Sequence, residues 1–310
     1  MSSTFDLGLS RSSNTGAEEG IATAIQAMVN SSLEPIEAAR SIDQTIFKDC
    51  RDVYVLYSSS PETTAAPGPD PVGWMKYVWD CLGRAAMKIP ADSPAQDRLV
   101  SLIQELQGLP RRHAPWLAAG SLDERELWNL VPATQYEGLP QWMWELNEGN
   151  FATSKLDSDP KLATEYINFS AFLARLLGGG IAEVTRLSAL IRPSPFATSK
   201  ASNPQLSPEF DPYAAAAAQW ILYAGDVLFE MCQKGAMVEI GSQRWTPSRW
   251  DSWKTNFGTI IDDTRFSSQA RQLAARAKER IAQIEEQGIN ATESVVQKFE
   301  FIVPEDDNIE

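Results

Sequence analysis

The stretch AAAAAQWILYAGDVLFEM, Ala214 to Met231, decides the fold. Its apolar residues fall on every side of a helical wheel instead of alternating with period two, and the run far exceeds an ordinary strand of about 5–6 residues. Other helices must cover a helix that is apolar nearly all round. The spacing therefore predicts a buried central helix over about 212–234 in an all-α, multi-helix bundle. Of the polar residues that interrupt it, Asp226 and Tyr223 stand out. Asp226 sits in the most apolar run of the chain, so it must be paired, hydrated or turned towards a cavity. It stands equally as a structural ion pair with an arginine and as a site carboxylate, with Tyr223 close by.

Helical periodicity continues on both sides. Downstream, helices are predicted over 247–262 and 267–287, before an acidic tail at 291–310 that ends in PEDDNIE and should fray. Upstream, 160–177 carries Leu162, Tyr166, Phe169 and Phe172 at helical spacing and is closed by Gly178-Gly179-Gly180. A long loop, 192–212, separates it from the central helix. Pro- and Trp-rich short helices are expected across 109–146, which holds Trp116, Trp128, Trp142 and Trp144. Further helices are predicted over 94–107, opened by the cap Ser93-Pro94, and over 71–88. The Pro, Ser and Thr of 58–71 mark an exposed loop, preceded by helices over 34–57 and 17–30. Strand-like alternation is confined to 53–57 (VYVLY) and 299–303. One domain over 16–290 follows, with a disordered lead at 1–15.

Composition narrows the function classes. Of 310 residues, 41 are acidic and 27 basic, a net charge of -14, with no basic block. Nucleic acid and anionic membranes recruit clustered positive charge, so neither is an expected partner. No run approaches the roughly 20 apolar residues of a spanning helix, so no membrane insertion is expected, and no signal peptide is evident. A cytoplasmic protein is expected, its three widely spaced cysteines serving as small core residues. Phosphate-loop and dinucleotide motifs are missing, and a single histidine rules out His-clustered metal sites. Asp262-Asp263, the nearest approach to a paired-carboxylate magnesium site, falls at a helix end as solvated carboxylates. No metal and no cofactor are predicted.

RWTPSRWDSW, Arg244 to Trp253, packs three tryptophans into ten residues. Thr246-Pro247 reads as a helix cap and first turn, which makes Trp245 and Trp250 the partners of a hydrophobic staple and puts Trp253 on the same stripe. Core packing thus explains the indoles. Arg249 has no such explanation, because its third helical position suits a Glu and a cation there opposes the helix dipole. It either pairs with a carboxylate such as Asp226 or offers a fixed cation to an anionic or carbonyl oxygen. His113, in LPRRHAPW, reads as a surface loop residue or as a neutral base favoured by the neighbouring guanidiniums of Arg111 and Arg112.

RWTPSRWDSWKTNF, the Ala-rich QARQLAARAKERIAQIEE and the segment GLPRRHAPWLAAGSLDERELWNL together resemble a fungal all-helical family of unknown function, over most of 35–290. The resemblance extends to fungal helical proteins of tropolone sesquiterpenoid pathways, which are cofactor-independent hetero-Diels–Alderases. It implies a pericyclase that joins a quinone methide, made from a tropolone or phenol, to a terpene alkene such as humulene, in secondary (meroterpenoid) metabolism. Such chemistry needs apolar small-molecule substrates held in a dry aromatic pocket, for which Trp116, Trp220, Trp245, Trp250, Trp253 and Tyr166 are the candidates. It also needs a donor on the carbonyl oxygen and an acid for water loss, for which Arg249, His113, Asp226 and Tyr223 are the candidates. The competing expectation is a non-catalytic helical interaction protein. A homo-oligomer fits either one.

Overall fold

The computed structural model describes residues 4–59, 70–118, 121–151, 156, 159–181, 211–238 and 243–287. Most of both expected long loops, the strand-like piece at 299–303 and the acidic tail lie outside these. Among the described residues the fold is all-α, with two short antiparallel ladders. The chain forms two compact units, Met1–Leu146 and Asn147–Glu310.

The first unit is built on α1 (Gly16–Val29), α2 (Pro35–Ser59), α3 (Pro71–Lys88) and α4 (Pro94–Gly108). Helix α1 begins with a capping box, Thr15 accepting from the Glu18 N–H while the Glu18 carboxylate accepts from the Thr15 N–H. Asp70 and Ser93 cap α3 and α4, each followed by proline in the first turn. Apolar residues at helical spacing, Ile21, Ile25 and Met28 on α1, Ile42 and Ile46 on α2, Val78 and Leu82 on α3, Leu99 and Ile103 on α4, are wholly buried and make the core. Side chains close the helix ends. Buried Gln96 donates to the carbonyls of Ala86 and Ile89 at the end of α3, and Arg98 donates to those of Met28 in the last turn of α1 and of Leu33 beyond it.

Three local expectations change. Residues 4–14, expected as a disordered lead, run alongside α1. Leu7 and Leu9 are buried, and Gln26 and Asn30 bond the backbone of Phe5 and Leu7 as a neighbouring strand would. VYVLY is helical, because continuing α2 adds one backbone bond per residue and outweighs β-preferences of tenths of a kcal/mol. Within 109–146, the expected short helices give way to a hairpin of β1 (His113–Ala118) and β2 (Ser121–Glu126), in register from His113 opposite Glu126 to Ala118 opposite Ser121. Pro110 and Pro115 prevent a helix there. After an irregular turn, Pro132–Gly138, comes α5 (Leu139–Asn150), within which the unit boundary falls.

The second unit holds α6 (Pro160–Gly178), α7 (Asp211–Lys234), a minimal ladder of β3 (Met237–Val238) and β4 (Gln243–Arg244), α8 (Pro247–Asp262) and α9 (Ser268–Gln287). The apolar stretch that opens the sequence analysis lies in α7, which packs against α6, α8 and α9, with most of its residues buried. Two glycines set these approaches. A Cβ on Gly178 would stand 2.1 Å from the Tyr223 carbonyl oxygen of α7, and one on Gly225 would stand 2.6 Å from the Ile284 methyl of α9. No helix among the described residues is long and apolar enough to cross a membrane.

Candidate functional site

Trp245, Arg249, Trp250 and Trp253 converge where β4 turns into α8. Thr246 is the N-cap residue with extended backbone and Pro247 opens the helix, as the sequence predicts, although the Thr246 hydroxyl meets Ser248 Oγ and makes no cap bond to the backbone. Trp245 and Trp250 are both buried. The ring pairs differ from a simple staple. Trp253, half-buried, meets Trp245 edge-on at 5.4 Å and Trp250 at 6.1 Å between centroids, and so links the two expected partners. Phe229 of α7 adds a fourth ring, 5.0 Å from Trp250.

The half-buried Arg249 lies over this cluster with its guanidinium carbon 5.2 Å from the Trp245 ring centroid, a cation–π distance. Its charge reaches inward. Burial pushes the Cys232 thiol up to about 12, and the Arg249 guanidinium and the Trp250 N–H oppose that rise. Trp250 donates from its indole to Glu285 on α9, which also holds Lys254 at 2.5 Å. The Trp245 indole Nε1 is buried and has no hydrogen-bond partner.

The remaining candidates are placed elsewhere. Asp226 pairs with Arg280 of α9 at 2.5 Å, not with Arg249, and at 45% side-chain exposure it is a solvent-facing ion pair, not a carboxylate in an apolar core. Helical geometry explains this, since Asp226 falls on the narrow polar edge of α7 that faces α9. Tyr223 lies under the guanidinium of buried Arg175, 3.5 Å from its ring centroid. Tyr166 packs between Phe151 (5.3 Å) and Tyr213 (5.8 Å), and Trp220 is buried on α7. His113 and Trp116 belong to the first unit, His113 exposed at the start of β1 opposite Glu126 and Trp116 half-buried opposite Asp123. The neighbour of His113 is more deeply engaged. Arg112 donates to buried Asp43 at 2.7 Å and stacks 3.9 Å from the Phe47 ring.

Asp263 accepts from the Arg265 guanidinium and, more weakly in effect, from the Arg265 backbone N–H, and these bonds hold its carboxyl below the usual carboxylate range. No group of three or more His, Cys, Asp or Glu that could hold a metal ion occurs among the described residues. An open cleft of ≈ 400 Å³ lies between α1 and α2, lined by Glu19, Thr23, Ala27, Leu33 and Ser41 among others, none of them a candidate.

The sequence missed the network around Asp43. Its indole partner, Trp128, bonds at 3.0 Å from a backbone with φ of 59°, and no local signal announces a tryptophan in that conformation. A family model described as "Protein of unknown function (DUF3632)" matches residues 79–257, more than half of the chain. No curated protein and no solved structure matches it.

Proposed function

The chain belongs to the DUF3632 family of proteins of unknown function, and on that premise we propose that it is a cofactor-independent pericyclase of the hetero-Diels–Alder type in fungal natural-product biosynthesis. Its substrates are a quinone methide derived from a tropolone or phenol and a terpene alkene such as humulene. The observation that carries the reading is Arg249 set over Trp245 beside half-buried Trp253, a cation against an aromatic wall. The reaction asks for those two things. Four π electrons of the quinone methide and two of the alkene become one C–C bond, one C–O bond and one new C=C π bond in the former heterodiene, with no atom gained or lost. Orientation of two apolar partners can remove about 7–11 kcal/mol from a bimolecular barrier. A cationic donor on the quinone methide oxygen adds about 1.5–3 kcal/mol.

The test is incubation with a quinone-methide precursor and humulene, read by chiral product analysis against the background without protein. The expected result is one enantiomer in excess, with Arg249→Gln slowing adduct formation about 10- to 100-fold, the equivalent of the donor's contribution. A racemic product at the background rate overturns the reading. A second reading, a non-catalytic helical interaction protein, draws support from Val55 and Leu56, adjacent on α2 and exposed at 52% and 57%. That reading expects no adduct, and a fall in sedimenting mass when both are replaced by Asp.

A further inference from the structure

Residues 4–10 lie against α1 with burial that alternates along the segment. Leu7 and Leu9 are 2% and 6% exposed and Phe5 is half-buried, while Thr4, Asp6, Gly8 and Ser10 face solvent. Gln26 of α1 and Asn30 at its C-cap read the backbone. Asn30 accepts from the Phe5 N–H at 2.8 Å and donates to the Phe5 carbonyl at 3.0 Å, and Gln26 accepts from the Leu7 N–H at 3.0 Å and donates to the same carbonyl. Asn14 donates to the Leu9 carbonyl at 3.2 Å, and the Ser10 hydroxyl to Glu19 at 2.7 Å. Among the described residues no backbone group of 4–10 bonds to another backbone group, and α1 completes its ladder and capping box without them. Release of the segment breaks none of the helix's own bonds. An extended peptide is recognised in this way, since bonds to its main chain hold it whatever its sequence and places for alternate side chains select it. Gly8 sharpens the selection. At φ of 62° it is left-handed, so a residue with a Cβ is disfavoured between the two leucines.

We propose that the α1 face around Gln26 and Asn30 is a docking site for an extended peptide segment of another protein, with the pattern apolar-Gly-apolar, and that residues 4–10 occupy it as a tethered competitor. The seated segment is the template for that partner. The Phe5 N–H and carbonyl and the Leu7 N–H are backbone groups that any residue but proline supplies, and Leu7-Gly8-Leu9 states which side chains fit. Exposed Arg11, Ser12 and Ser13 join the segment to α1 through a turn with one backbone bond, from the Asn14 N–H to the Arg11 carbonyl at 3.0 Å. On so short a link the segment competes at an effective concentration on the order of 1 mM, so a partner in the micromolar range is kept out until the segment lets go. The same advantage keeps the segment of a second copy on its own α1, which leaves a different protein as the partner. The site belongs to the first unit and does not rest on the pericyclase reading.

The probe is a fluorescent peptide of residues 4–11, TFDLGLSR, read by anisotropy. Its receptor is the full-length chain carrying Leu7→Asp and Leu9→Asp, which empties the site from within. Saturable binding to that chain is expected, with binding to the unaltered chain weaker by about 10-fold or more because its own segment competes. A peptide carrying Gly8→Val is expected to lose about 5- to 30-fold, the cost of a left-handed Cβ. Gln26→Leu added to the receptor removes two bonds and is expected to weaken binding about 10-fold. No saturable binding by the folded receptor, equal binding by the two chains, or indifference to Gln26→Leu overturns the proposal. So does a dimer of the unaltered chain that Leu7→Asp and Leu9→Asp dissolve, since two copies would then be exchanging the segment. Should the receptor fail to fold, native hydrogen exchange of the unaltered protein decides. The Phe5 and Leu7 amides are expected to exchange about 100-fold or more faster than those of Ile25 and Met28, and to be insensitive to low urea, because release is local. Protection equal to that of α1 overturns the proposal.

Discussion

Asp43 illustrates what a single buried charge requires. Its carboxylate accepts from the Trp128 indole at 3.0 Å and from Arg112 at 2.7 Å, and so fastens the segment around β1 and β2 to α2. Asp43→Ala strands a buried indole N–H and frees a guanidinium that, 37% exposed, can return to water. A loss of about 2–3 kcal/mol in urea unfolding is expected, below the figure for a fully buried pair because of that exposure. The cysteines show burial acting alone. Cys50, Cys81 and Cys232 are free, buried and pushed up to about 12, chiefly by desolvation. With the folded value raised, their contribution is intact below the ordinary thiol value near 9 and is lost as pH climbs from there to about 12, because only the unfolded chain can ionise. Native protein at pH 8 is expected to resist iodoacetamide and its denatured form to take up the label, and thermal stability should fall steeply above pH 9. Sequence and structure divide the candidate site between them. Position alone singled out Arg249, a cation at the third residue of a helix, but the orphaned Trp245 donor depends on what folds around it.

Helix pairing turns on how close two backbones come, and α7 offers a direct comparison. At Gly178 the atom in the way is a backbone oxygen, which cannot yield, whereas at Gly225 it is the end of the Ile284 side chain, which can rotate. Gly178→Ala is therefore expected to cost about 3 kcal/mol or more by forcing α6 from α7, and Gly225→Ala about 1 kcal/mol, both by chemical denaturation. Equal losses would show that the approach at Gly178 is not fixed by backbone contact. The turn before α5 makes the opposite prediction. Gln135, Tyr136 and Glu137 all have φ of 51°, in the left-handed region where a Cβ is unfavourable. The turn is held by Trp79 donating to the Glu137 carbonyl and by Arg125 paired with the Glu137 carboxylate at 2.7 Å. Gln135 is exposed, so Gln135→Gly loses no packing and is expected to stabilise by about 0.5–1 kcal/mol. Helices with an apolar stripe, such as α3 over 71–88 and α4 with its cap Ser93-Pro94, were legible to within a residue or two. The hairpin was not, because β1 and β2 are defined by pairing with each other and HAPWLA carries no period-two alternation for a local reading to find.

Two compact units, each with its own set of helices, share a chain whose acidic residues outnumber its basic ones by 41 to 27. The class was legible because Ala214–Met231 could be satisfied only by burial among other helices. The division into units was not, since it depends on which helices meet, and α5 runs through the boundary without a composition break. Charge acts on the molecule as a whole. The described ion pairs are mostly at the surface, as with Lys48–Asp52 and Arg265–Asp263, and such pairs contribute about 0–1 kcal/mol each. Salt weakens them, but it also screens the mutual repulsion of a net charge of -14, which opposes the compact state over longer distances. With a Debye length that shrinks from about 30 Å at 0.01 M to about 8 Å at 0.15 M, the long-range repulsion is lost first and the contact pairs survive. Raising NaCl across that range at pH 7 is thus expected to raise the melting temperature by about 2–4 °C, the equivalent of about 1 kcal/mol for a domain of about 150 residues or more. A melting temperature that falls instead would mean that the surface pairs outweigh the excess of negative charge.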